Sequence, residues 1–166
     1  MNALWAYFWP PLGCGLIVGI IAGDIAYRGR LGRYGVLAFG AALAMGLAAL
    51  WHGPLGAADR FASEIDHMVR VATVYNEIPE VSGHLHRDPL TRRVLLSGPA
   101  DDFQRGQLVE IIDEIPGVES VSWSPDHEGI PLVVEGLVVG LLGFLLGLLV
   151  AYLRELRRRY NAQWNW

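Results

Sequence analysis

The chain has 166 residues, of which 52% are hydrophobic and 20 are Gly, and its mean hydropathy is +0.31. That composition excludes an ordinary soluble enzyme and a disordered acidic tail. Residues 52–130 carry 14 acids and 6 Arg, a net −8 against +4 for the remainder, and so acidic a segment excludes a nucleic-acid partner.

The first apolar run, Leu4 to Tyr27, opens on Trp5, Tyr7, Phe8 and Trp9, the composition favoured at a membrane interface. Only Pro10-Pro11 interrupts it, and proline suits the first turn of a helix. The pattern therefore predicts an interfacial segment over about residues 3–9 and a first transmembrane helix over about 11–27, followed by an Arg loop that ends at residue 33. Cys14 is the sole cysteine, so no internal disulfide forms. With no basic residue before it, it does not read as a lipidation site and is expected as a small buried apolar residue.

The second run, residues 34–51, would extend about 27 Å as a helix. The third, residues 130–153, would extend about 36 Å, enough to span a bilayer with some tilt. Arg28, Arg30 and Arg33 fill the link between the first two runs, and Arg154, Arg157, Arg158 and Arg159 open the tail, residues 154–166. Cytoplasmic loops collect Arg. The expected topology puts the N-terminus outside, the 28–33 loop inside, residues 52–129 outside and the C-terminus inside, in the cytoplasm.

Gly15, Gly19 and Gly23 recur every four positions in the first run, Gly136/Gly140 and Gly143/Gly147 do so in the third, and Ala38, Ala42 and Gly46 in the second. Small residues at that spacing let helix backbones approach closely, so these positions are the helix-packing candidates, within the chain or against another subunit. Asp24, four residues before Arg28, is expected to form an ion pair at the helix end. Glu135, about one turn into the third run, is expected at the outer interface, with an inter-helix contact as the alternative.

Between the second and third runs, Phe61, Ile65, Met68, Ala72 and Tyr75 predict an amphipathic helix over residues 59–77. Strands follow at 81–86 and 92–97 around an Arg87-Asp88-Pro89 turn. A helix over 101–115 buries Leu108, Ile111, Ile112 and Ile115, and Pro116-Gly117 stops it. A third strand covers 118–123. The expected fold is thus three transmembrane α-helices plus a small α+β domain of order α-β-β-α-β.

Val94-Leu95-Leu96-Ser97-Gly98 before the second of those helices, and Pro116-Gly117-Val118-Glu119-Ser120-Val121 after it, resemble the BON domain of bacterial envelope proteins over roughly residues 60–125. Arg87-Asp88-Pro89-Leu90 stands where that family usually has a hairpin Gly. The resemblance implies a periplasmic α+β module that binds lipid or protein, with no catalytic residues to carry over. The three spans lie outside it.

His84 and His86, two apart on a strand, share one face. They read as solvated imidazoles, as groups that gain charge near about pH 6–6.5, or as part of a metal site. Two ligands fall short of the three or four of a zinc site, and no metal is assigned. Neither a GxSxG elbow, a P-loop nor a dinucleotide fingerprint occurs, so neither an enzyme nor a cofactor is expected. Trp164 and Trp166 follow four Arg, and with Trp5 and Trp9 they are candidates for membrane-interface or partner contact. The expected function is a non-catalytic accessory or scaffolding subunit of an inner-membrane assembly. Its partners are other membrane subunits or a second copy, and the alternative is a tethered BON-like module that binds phospholipid or an envelope component.

Overall fold

A computed structural model of the protein describes residues 2–28, 32–124 and 129–164, the last two by backbone alone. Arg30, His127 and Trp166, and the side chain of Trp164, lie outside the described residues. In chain order the elements are α1 (Ala3–Arg28), α2 (Arg33–His52), α3 (Ala57–Tyr75), β1 (Ser82–Arg87), β2 (Leu90–Ser97), α4 (Asp102–Asp113), β3 (Ser120–Ser122) and α5 (Leu132–Trp164). α1, α2 and α5 are each long and apolar enough to cross a membrane. The chain divides into two compact units, one of Met1–Tyr7 with Gly56–Glu135, the other of Phe8–Leu55 with Gly136–Trp166.

α1 is one continuous helix rather than an interfacial segment followed by a span. Asn2 starts it, its Oδ1 accepting from the Trp5 amide at 3.1 Å. Pro10 and Pro11 sit inside the helix. Each removes one backbone N–H and frees the carbonyl four residues earlier, a defect that apolar helices tolerate where neighbouring chain closes around it. Pro11 is fully buried. α5 likewise runs on without interruption from the apolar stretch into the Arg-rich tail.

In the first unit the three strands lie in the order β1-β2-β3. β1 and β2 form an antiparallel hairpin, whereas β2 and β3 run parallel, a pairing that requires a crossover. α4 supplies it. The register sets Leu85 opposite Val94 and Val94 beside Val121. Alternation then turns Leu85, Val94 and Leu96 to one face, where they are buried with Phe61, Ile65 and Val69 of α3 and with Leu108 and Ile112 of α4.

The buried stripe of α3 is Ala57, Phe61, Ile65, Val69 and Thr73, with Ala62 buried beside it. The expected stripe shared its first half, but Met68 and Ala72 are only half-buried and Tyr75 is 86% exposed. A strict spacing of four carries the contact along that face, and Thr73 joins it because its hydroxyl donates to the Arg70 carbonyl at 3.0 Å. α4 begins with a reciprocal capping box. Asp101 Oδ1 accepts from the Gln104 amide at 2.7 Å, and Gln104 Oε1 accepts from the Asp101 amide at 3.1 Å. Gly98, in the Leu-Ser-Gly stretch, has φ +132 and passes so close to residue 80 that a Cβ would lie 2.6 Å from the Glu80 carbonyl oxygen. Only glycine meets both conditions.

Candidate functional site

The candidate glycines of α1 and α5 face one another across a seam inside the second unit. A Cβ on Gly15 would collide with the Gly140 carbonyl oxygen, and one on Gly19 with that of Phe144. From the other side, a Cβ on Gly143 would strike the Leu12 carbonyl and one on Gly147 that of Leu16. Gly23 lies against Ala151, at 2.6 Å from the added carbon to the Ala151 Cβ. Gly136 is buried at the start of the same helix. Two backbones thus touch over about two helical turns, from Leu12 to Gly19 against Gly140 to Gly147, a geometry in which dispersion between closely approaching backbones holds helices together.

α2 joins through Gly40, Ala44 and Ala48, its buried residues. Ala44 forms a cluster with Ala22 and Phe144. The expected contact positions Ala38, Ala42 and Gly46 are instead exposed, two positions out of phase. A helix that is apolar all round has no polar face to fix which side turns inward.

Aromatic residues at the start of α1 divide by face. Trp5 and Trp9 are half-exposed, at 50% and 53%, and Ile17, Ile21 and Ile25 are exposed further along the helix. Tyr7, read from sequence as interfacial, is instead 2% exposed within the first unit. Its ring lies 5.7 Å from that of Phe61, and its hydroxyl donates to the Leu132 carbonyl at 3.3 Å. Cys14 is exposed rather than buried.

Both acids of the apolar runs are ion-paired. Asp24 lies 3.7 Å from Arg28, which also approaches Glu155 at 3.9 Å, and Arg159 Nε is 2.9 Å from the same Glu155. At the start of α5, Glu135 pairs with Arg92 of β2 at 2.8 Å, and Arg92 also lies 3.7 Å from Glu119. Glu135 is therefore engaged by a strand residue rather than by another helix. Arg92 was not legible as a partner, because 43 positions separate the two.

His84 and His86 fall on the sheet face away from α3, His84 exposed and His86 Nδ1 3.0 Å from the Pro89 carbonyl oxygen. Among the described residues no group of three or more His, Cys, Asp or Glu is placed to hold a metal ion. At the opposite edge of β1, Asp66 of α3 accepts from the Leu85 amide at 2.9 Å and from Arg87 at 2.7 Å. A carboxylate there occupies a strand edge that would otherwise pair with another strand. No family profile, curated protein or solved structure matches the chain.

Proposed function

We propose that this protein is a non-catalytic accessory or scaffolding subunit of an assembly in the bacterial inner membrane. Its N-terminus and acidic α+β domain lie in the periplasm and its C-terminus in the cytoplasm. The orientation rests on the Arg asymmetry, with Arg28 and Arg33 at one link and Arg154, Arg157, Arg158 and Arg159 at the tail. The α-β-β-α-β order supports a BON-like reading of the domain.

One observation carries the scaffolding reading. α2 has two small-residue faces, and among the described residues Gly40, Ala44 and Ala48 are the buried ones, with Ala41 partly buried beside them. Gly35, Ala38, Ala42 and Gly46 remain exposed, with open space beside Gly35 and Gly46. Such a face suits another subunit's helix rather than lipid alone. Native mass spectrometry of the tagged protein, extracted in mild detergent from its own membranes, tests this. A stoichiometric companion that is lost with Gly46→Leu is the expected result, and a bare monomer in several detergents refutes the scaffolding role.

A second reading, a tethered module whose domain touches phospholipid or another envelope component, is favoured by apolar exposure on α3. Val71, Val74 and Tyr75 are 54%, 59% and 86% exposed. Loss of the companion with Val74→Glu, but not with Gly46→Leu, would move the contact from the membrane to the domain.

A further inference from the structure

At the Arg-rich end of the helices a recess of about 210 Å³ opens among α1, α2 and α5, lined by Tyr27, Arg33, Tyr152, Glu155, Leu156 and Arg159. Two guanidiniums, of Arg33 and Arg159, and the Glu155 carboxylate line it, and the Arg28–Asp24 pair lies beside it. Arg28 is shared between Asp24 and Glu155, and Arg159 Nε holds Glu155 Oε1 at 2.9 Å. Each acid thus has a cation within ion-pair distance, while Glu155 Oε2 is buried with no hydrogen-bond partner among the described residues. Arg33 is left with the ring of Tyr27, 5.3 Å beneath its guanidinium, and no acid within ion-pair distance among the described residues. The rings of Tyr27 and Tyr152 meet edge-on at 5.9 Å, and among the described residues neither hydroxyl has a hydrogen-bond partner.

The recess therefore has one unmatched positive charge, a planar fork of donors and two phenolic hydroxyls. A cation would meet one carboxylate between two guanidiniums, so the charge selects an anion. Arg forks suit phosphate in particular. Away from the recess, Leu145, Leu149, Leu153 and Leu156 form an exposed apolar column on α5, each 45–53% exposed, along which an acyl chain can lie. We infer that this recess binds the phosphodiester of an anionic phospholipid, held by Arg33 and the remaining donors of Arg159, with Glu155 positioning Arg159. Basic pockets between membrane helices hold such headgroups. The inference rests on α1, α2 and α5 being membrane spans.

The protein is delipidated in mild detergent, and phosphatidylglycerol, phosphatidylcholine or inorganic phosphate is added back before native mass spectrometry. One phosphatidylglycerol is retained per chain. Arg33→Gln weakens retention about tenfold, the equivalent of one charge-assisted hydrogen bond. Tyr27→Phe, which keeps the ring, weakens it about threefold. Arg157→Gln, on the open surface of the same helix end, leaves it unchanged. Equal retention of phosphatidylcholine, full competition by inorganic phosphate, or an equal effect of Arg157→Gln each overturns the inference. Release of the chain from membranes by an alkaline carbonate wash would refute the span reading itself, a result separate from a membrane-bound chain that shows no lipid preference.

Discussion

A single methyl group distinguishes the two glycine environments of α1. Gly13 has nothing within 4 Å of an added Cβ, whereas Gly19 presses on the backbone of Phe144 and Gly147. Gly13→Ala is expected to stabilise the protein by up to about 1 kcal/mol, the helix-propensity gain. Gly19→Ala, which must push two backbones apart, is expected to cost about 2 kcal/mol. Thermal unfolding in detergent separates the two, and equal effects would refute a backbone seam. Arg92 makes a second residue-level case, since it lies between Glu119 and Glu135 with its side chain 21% exposed. Arg92→Met leaves two carboxylates without their shared cation and should cost roughly 2–3 kcal/mol. In a double-mutant cycle, adding Glu135→Gln should recover much of that loss, because the charge most in need of a partner has gone.

Among the elements, those with a polar side were readable and those without were not. α4 shows the first kind. Its acidic start, the burial of Leu108 and Ile112 and the Pro116-Gly117 break appear in the sequence, whereas Ile111 and Ile115, also expected inside, are only half-buried and the helix ends at Asp113; the structure adds the Gln104 half of the capping box. Asp101→Ala should lower the unfolding midpoint of the full chain by the equivalent of about 1 kcal/mol; no change would mean that α4 is held by packing alone. α2 shows the second kind. Small residues occur on both of its sides, so Gly40/Ala44/Ala48 and Ala38/Ala42/Gly46 could be told apart only by what packs against them. α1 misled for another reason. Proline statistics come from helices in water, where a missing N–H ends a turn, whereas a helix already surrounded by apolar chain can continue past it.

For the whole molecule, the proposed topology is tested with the single native thiol removed. In a Cys14→Ser background, Ser63→Cys on exposed α3 should react with a membrane-impermeant maleimide in cells whose outer membrane alone is permeable. Asn161→Cys, near the end of α5, should react only after the inner membrane is opened. The reverse pattern would invert the orientation while leaving the spans in place. The long-range closure of the first unit, by contrast, had no local signature. Tyr7 and Leu132 are joined over 125 positions, and neither residue type announces such a bond. A fragment of residues 53–129 omits both, along with Glu135, and should therefore melt below the full chain when followed by circular dichroism.

That closure also bears on synthesis. The sheet, α3 and α4 leave the ribosome before Leu132, a residue whose side chain is fully buried, and Thr91 waits for its bridge to Pro131. On the proposed topology, a nascent chain exports an unfinished core and seals it only when the last helix arrives. On that topology, translation that stops short of α5 leaves this apolar surface uncovered, so closure of the domain reports that α5 has been made.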